Sequence, residues 1–159
     1  MEISDSLIKS ASGEYDVEVV RRLTIDGAKI GKIACLERCH RLVELNLPRN
    51  KIVVIEGLDN LASLVRLDLA ANMIRRLDGL GALQLLENLD LRDNKIPNAE
   101  DADNLTALPQ LVHLHLKGNP CAENDGYYKI VTTILPQVSV PPVSRIASCP
   151  TSVDALLLS

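Results

Sequence analysis

The sequence predicts an α/β solenoid, in which short strands from successive turns form a parallel sheet on the concave face and a helix caps each end. The first observation is the composition, because 27 leucines and 12 isoleucines stand against three aromatic residues, all tyrosine, in a chain of 159 residues. A core without large rings must be built from many aliphatic side chains in similar positions. The second observation is that one apolar pattern recurs along the chain at nearly constant spacing.

The recurring unit begins with the pattern LxxLxLxxNxI. Good copies are LVELNLPRNKI from Leu42, LVRLDLAANMI from Leu64, LENLDLRDNKI from Leu86 and LVHLHLKGNPC from Leu111, and a poorer copy begins at Val20. The good copies start 22, 22 and 25 residues apart. We therefore predict repeats over residues 20–120, with starts near 20, 42, 64, 86 and 111. The alternation in LxL has the period of a strand, so each repeat supplies one short parallel strand.

Asparagine recurs at the bend that follows each predicted strand. This structural asparagine ladder consists of Asn50, Asn72, Asn94 and Asn119. An amide side chain both donates and accepts hydrogen bonds, so each member can satisfy backbone groups of the adjoining turn, which leucine cannot do. Ala28 stands at this position in the first turn, as expected of a terminal repeat whose outer side has no neighbour.

Residues 1–19 are predicted to form an N-terminal helical cap, because a stack of repeats would otherwise expose its core at the end. Ser4 is the predicted N-cap of a short helix, with Ile3 packing against Ile8 across the first turn. Gly13 is the residue predicted to end that helix.

Residues 121–142 are predicted to form a C-terminal cap. A helix is expected from about Tyr127 to Leu135, capped by Asn124 or Asp125 and stopped by Pro136. Residues 143–159 fit no repeat and are predicted to be a poorly ordered tail.

The repeat pattern over about residues 20–136 resembles the leucine-rich repeat of the 22-residue class. Asn119-Pro120, followed by Tyr128-Lys129 and the sequence LPQV, looks like the C-terminal cap of intracellular members of that class. In those members a last strand ending in Leu-Asp follows, whereas proline occupies both places here, at 141 and 142, and this leaves the final strand open. The members include a regulatory subunit of protein phosphatase 1, an axonemal dynein light chain and a U2 spliceosomal protein. The resemblance therefore implies a role in holding another protein.

Composition and charge exclude several classes of function. A net charge of -4 argues against direct nucleic-acid binding, which needs a basic surface. No apolar run approaches the ~20 residues of a membrane span, and the acidic N-terminus does not resemble a signal peptide. The four cysteines are too scattered for a disulfide scaffold. We therefore expect a cytoplasmic protein, with a nuclear or ciliary location left open, that has no membrane partner and is monomeric alone.

Side chains that flank the inward leucines of each strand are predicted to form the binding site for a protein partner of unknown identity. The candidate residues are Arg22, Glu44, Asn46, Arg66, Asp68, Asn88, Asp90, Arg92, His113, His115 and Lys117. Their mixed charges and lack of aromatic rings suit a protein better than a nucleic acid. The interpretation is a non-catalytic adaptor or assembly subunit. The alternatives are a regulatory subunit of an enzyme such as a protein phosphatase, or a spliceosomal-type RNA–protein assembly factor.

Other chemistry has weaker support in the sequence. Asp90, His113 and His115 resemble a weak transition-metal site. Three such residues are too few to indicate a metal site, and we predict no metal and no cofactor. No glycine-rich phosphate loop or nucleophile elbow is present, so no catalytic residue is assigned. Cys39 and Cys121 occupy core positions of the repeat. The acidic segment 97–103 accounts for the longer third spacing and is expected to be solvated on the connecting side.

Overall fold

The computed structural model describes residues 1–124 and 126–139, and through them the chain winds as a solenoid of stacked turns. Each turn contributes one strand of three residues, and the five strands form a parallel sheet in chain order. The strands are β1 (Arg22–Thr24), β2 (Glu44–Asn46), β3 (Arg66–Asp68), β4 (Asn88–Asp90) and β5 (His113–His115). The predicted fold class is confirmed.

Leucine sets the register of the sheet. The central residue of each strand is a leucine that points into the core, and the five leucines are mutual partners across the sheet. They are Leu23, Leu45, Leu67, Leu89 and Leu114, each at most 1% exposed. Complete burial of one leucine side chain contributes roughly 1.5–3 kcal/mol, so each member of the column stabilises the stack.

The asparagines of the ladder connect each turn to the turn before it. In Asn72, Oδ1 accepts a hydrogen bond from the Ile52 N–H at 3.0 Å, and Nδ2 donates to the Leu47 carbonyl at 3.0 Å. A further bond joins Nδ2 to the carbonyl of Leu69 in its own turn. The same pattern recurs at Asn50, Asn94 and Asn119. Each asparagine bonds to the repeat before its own. The first repeat has no earlier repeat to bond to, and Ala28 stands at this position there.

The N-terminal end is closed by α1 (Asp5–Ser12), which packs against β1. Its N-cap is Ser4, whose hydroxyl accepts a hydrogen bond from the backbone N–H of Leu7 at 3.4 Å. The helix ends at Gly13, which has a φ of 75°. Ile3 and Ile8 are both buried, as the predicted packing across the first turn requires.

The C-terminal end is closed by α2 (Tyr127–Ile134), and its start differs from the prediction. Gly126 is the N-cap, no side chain of a described residue caps the helix, and Asn124 contributes only its backbone carbonyl, 3.1 Å from the Tyr127 nitrogen. The prediction that the Asn124 side chain caps this helix is therefore wrong, because Asn124 lies two positions before the N-cap residue. Asp125 lies outside the described residues.

Beyond α2, Ser139 makes a single parallel bridge to His113 at the edge of the sheet. The predictions for Pro141, Pro142 and the tail 143–159 fall outside the described residues. Within the part of the chain that is described, no helix is both long enough and apolar enough to cross a bilayer.

The acidic segment is more deeply integrated than predicted. A 3₁₀ helix runs over Ala99–Ala107 and packs against α2. Ala99, Ala102 and Leu105 are buried in the common core, while Glu100 and Asp103 are exposed. The expectation of a solvated connection is therefore correct for Glu100 and Asp103 and wrong for Ala99 and Ala102. A shorter 3₁₀ helix, Pro120–Glu123, precedes α2, and another, Val17–Val19, precedes β1.

Candidate protein-binding face

The sheet register brings the predicted partner-binding residues onto one face. In each strand, the residues before and after the inward leucine project their side chains outward. A third outward position lies two residues after the end of the strand. The first column is Arg22, Glu44, Arg66, Asn88 and His113; the second is Thr24, Asn46, Asp68, Asp90 and His115. The third column is Asp26, Pro48, Ala70, Arg92 and Lys117, whose backbones stack through hydrogen bonds between adjacent turns. We call this surface the concave face.

At the N-terminal side of the concave face, one carboxylate is shared by two arginines. Glu44 lies 3.6 Å from Arg22 and 3.9 Å from Arg66, measured between charged atoms. The arginine side chains are 80% and 64% exposed, so these pairs contribute little to stability and leave both guanidinium groups accessible.

On β4, Asp90 already has a cation of its own. Both its carboxylate oxygens accept hydrogen bonds from the Arg92 guanidinium, at 2.5 to 3.0 Å, and the Arg92 backbone N–H also donates to it. These bonds raise the pKa of Arg92, and only 13% of the Asp90 side chain is exposed. Asp90 therefore has little remaining capacity to bind a cation from a partner.

Asp68 on β3 differs from its neighbour. Its carboxylate is half-buried and accepts the Ala70 backbone N–H at 2.8 Å, but it forms no ion pair with any described residue. Burial raises the pKa of Asp68, and the negative charge of Asp90 raises it further, while the Ala70 amide and Arg92 oppose the rise. The middle of the concave face therefore holds a negative charge that is only partly compensated.

A shallow depression of about 140 Å³ lies around this carboxylate. It is lined by Asn46, Arg66, Leu67, Asp68, Asn88 and Asp90. Two amides and two carboxylates contribute to its lining together with one guanidinium, so the depression offers oxygen acceptors to a cationic or amide group.

The two histidines do not assemble a metal centre. His113 is exposed and His115 is half-buried, and each is the register partner of a β4 residue. Among residues 1–124 and 126–139, no three histidine, cysteine, aspartate or glutamate residues are grouped so as to hold a metal ion. The described cysteines fall into two sets, because Cys39 and Cys121 are buried in the core and Cys35 is exposed.

Sequence reasoning missed one residue at the edge of the face. The Arg49 guanidinium forms an ion pair with Asp26 of the preceding turn, lowering the pKa of that carboxyl and raising its own. Arg49 reaches it from a left-handed backbone position, with a φ of 56°. A non-glycine residue gives no sequence signal for that conformation.

No family model matches the sequence, and no curated protein is similar to it at a significant level. Similar folds occur among solved structures. The Drosophila melanogaster SNF/U2A' complex contains one at 24% identity and a TM-score of 0.76, covering 87% of this chain and 81% of that one. A leucine-rich repeat protein of Leptospira interrogans is 22% identical with a TM-score of 0.62, covering 79% of this chain and 32% of its own.

The internalin InlF of Listeria monocytogenes is 19% identical with a TM-score of 0.59, covering 85% of this chain and 53% of its own. The chain thus spans about half of the internalin and a third of the Leptospira protein. Together with the parallel sheet and its capping helices, these likenesses show the fold of a leucine-rich repeat solenoid.

Proposed function

We propose that this leucine-rich repeat solenoid is a non-catalytic protein-interaction module, an adaptor or assembly subunit that holds a protein partner on its concave face. The observation that carries the proposal is the partly compensated carboxylate of Asp68 beside a depression in the middle of that face. A half-buried charge without an ion partner costs stability in the free protein, and a cationic group of a partner would offset that cost.

The surrounding charges support a mixed-charge partner. Arg66 is exposed and shares Glu44 with Arg22, so its guanidinium is free to contact an acidic group. Opposite charges within a few ångströms of each other select an orientation as well as a partner, because a partner in the wrong register meets like charges. Arg66 and Asp68 are the two ends of β3, and we assign them the largest share of the recognition.

A second candidate is a subunit of a spliceosomal-type RNA–protein assembly, and the similarity to a chain of the SNF/U2A' complex favours it. A third candidate is a regulatory subunit of an enzyme such as a protein phosphatase. The identity of the captured partner would distinguish it from the other two candidates. Within the class, the segments ISDSLIKSASGEYDVEVV (residues 3–20) and CLERCHRLVELNLPRNKI (residues 35–52) resemble those of leucine-rich repeat-containing protein 61. We further propose a cytoplasmic location, with a nuclear or ciliary one as the alternatives, and a monomeric state in the absence of a partner.

Affinity capture from cell extract, with the purified chain as bait, tests the proposal once the captured protein is identified and its Kd measured. The double variant Arg66→Glu, Asp68→Asn should weaken that Kd at least tenfold while remaining folded. The matched control, Glu100→Gln with Asp103→Asn, alters two exposed charges on the 3₁₀ helix, and it should change the Kd less than twofold. If the control abolished binding and the β3 variant kept it, the partner would bind the connecting side instead.

A further inference from the structure

A flank of the solenoid, next to the bend that follows each strand, is strongly basic in a chain that is acidic overall. We call residues 29–32, 51–54, 73–76 and 95–98 the basic flank; their sequences are KIGK, KIVV, MIRR and KIPN. These segments contain no acid, and their cations are Lys29, Lys32, Lys51, Arg75, Arg76 and Lys95. Since the net charge of the chain is -4, the rest of the chain is net -10.

Backbone hydrogen bonds hold these segments in register. The N–H groups of Lys51, Met73 and Lys95 each donate to the carbonyl of an isoleucine in the preceding turn, at 2.7, 2.9 and 2.8 Å. Turns joined in this way are about 4.8 Å apart, so side chains at equivalent positions project side by side. The lysines of the first and fourth segments are therefore separated by about 14 Å.

Most of these cations have no partner among the described residues. Lys32 lies 3.9 Å from Glu56 and Arg76 lies 2.7 Å from Asp78, measured between charged atoms. The other four cations form no ion pair or side-chain hydrogen bond with any residue in the described ranges. On the concave face, by contrast, the arginines are paired with acids of the strands. The flank therefore presents uncompensated positive charge.

Aliphatic side chains lie exposed among the cations. Val53, Val54 and Met73 are 46%, 57% and 47% exposed, and they lie on adjacent turns. The register places the two valines beside Arg75 and Arg76 of the next turn. A small apolar patch surrounded by unpaired cations matches a ligand that combines acidic groups with aliphatic ones.

We propose that the basic flank docks a short acidic segment of another protein that also carries aliphatic side chains. An anionic membrane or a nucleic acid extends far beyond 14 Å, so it would also face the rest of the chain, which is net negative. The resulting repulsion acts over a Debye length of about 8 Å at physiological salt. A peptide segment of about five extended residues covers the same distance and avoids that repulsion. The flank contains no aromatic ring on which a base could stack.

The proposal is independent of the concave face and is tested with a defined probe. The probe is a fluorescein-labelled peptide, Glu-Glu-Leu-Glu-Glu-Leu-Glu-Glu, titrated with the full chain in 0.15 M salt and followed by fluorescence anisotropy. The unmodified chain should bind it, and the variant Lys51→Glu, Lys95→Glu should weaken its Kd at least tenfold. A peptide with serine in place of both leucines should bind at least fivefold more weakly.

The matched control is Lys9→Glu with Lys129→Glu, which gives the same net charge but changes exposed lysines of α1 and α2, outside the flank and the concave face. It should weaken the Kd less than threefold. Absence of binding up to 1 mM peptide, equal weakening by the control, or equal affinity for the serine peptide would each overturn the proposal. Flank-dependent binding to phosphatidylserine vesicles or to a DNA duplex that is tighter than binding to the peptide would overturn it in favour of that ligand.

Discussion

Gly79 passes so close beneath the carbonyl oxygen of Ile55, one turn earlier, that a side chain at Gly79 would overlap that oxygen. Gly57 has the same relationship with Ile33, where a Cβ atom would lie 2.9 Å from the oxygen. The φ values of these glycines are 81° and 71°, in the left-handed region that glycine adopts without strain. In the first turn Cys35 holds the same position, with a φ of 58°, where no repeat precedes it.

This relationship predicts that Gly79→Ala lowers the free energy of unfolding by about 2–3 kcal/mol, because the methyl group adds backbone strain to a steric overlap with a rigid atom. The control is Gly81→Ala, since Gly81 has no positive φ and no atom within 4 Å of an added Cβ. That variant should change stability by less than about 0.5 kcal/mol. Urea denaturation of both variants measures the difference, and equal midpoints would contradict the close approach.

The ladder predicts that Asn72→Ala is destabilising by about 1–3 kcal/mol. Alanine leaves the buried Ile52 N–H of the preceding turn without its acceptor. It also removes one of the two amide donors to the Leu47 carbonyl, which keeps its bond from Asn50. The control is Asn60→Ala, because Asn60 is exposed and makes no side-chain hydrogen bond within the described residues. A thermal scan in which the two variants melt at the same temperature would show that the ladder bonds are not needed.

The repeat spacing predicted most of the concave face because one period fixes both the inward leucines and their outward neighbours. It failed at the acidic segment, where the charged residues suggested a solvated loop. The three extra residues add one turn of 3₁₀ helix, so the apolar residues at every third position, Ala99, Ala102 and Leu105, stay in the core. The ion pair of Arg49 with Asp26 could not be predicted, because it depends on a left-handed backbone conformation at Arg49.

The cysteines should differ sharply in reactivity in the native protein. Burial raises the pKa of Cys121 to about 11, so at pH 8 only about 0.1% of it is thiolate, and burial also raises the pKa of Cys39. Cys35 is exposed. In a Cys149→Ser variant, which removes the cysteine outside the described residues, one thiol should react rapidly with a disulfide reagent at pH 8.

The two remaining thiols of that variant should react only after addition of guanidinium chloride. Adding Cys35→Ser should remove the rapid phase. Rapid reaction of two or more thiols in the folded Cys149→Ser variant would mean that the core positions of Cys39 and Cys121 are wrong.

The pKa of Asp68 predicts a gain in stability from removing a charge in the proposed binding site. Burial, assisted by Asp90, raises the pKa of Asp68 above its value in the unfolded chain. Between the two pKa values the folded protein binds more protons than the unfolded one, so stability decreases as the pH rises through that window. Ionised Asp68 therefore destabilises the free protein at pH 7, and Asp68→Asn should raise the Tm at that pH.

At pH 3, below both pKa values, the aspartic acid is uncharged and nearly isosteric with asparagine, so the Tm difference should disappear. Asp59→Asn serves as the control, because Asp59 is exposed and forms no ion pair in the described part of the chain, and it should leave the Tm unchanged at both pH values. Since a cationic group of a partner would relieve the same cost, the stabilised Asp68→Asn variant should also bind the captured partner more weakly. A lower Tm for Asp68→Asn at pH 7 would show that Asp68 already has its compensating charge within the fold.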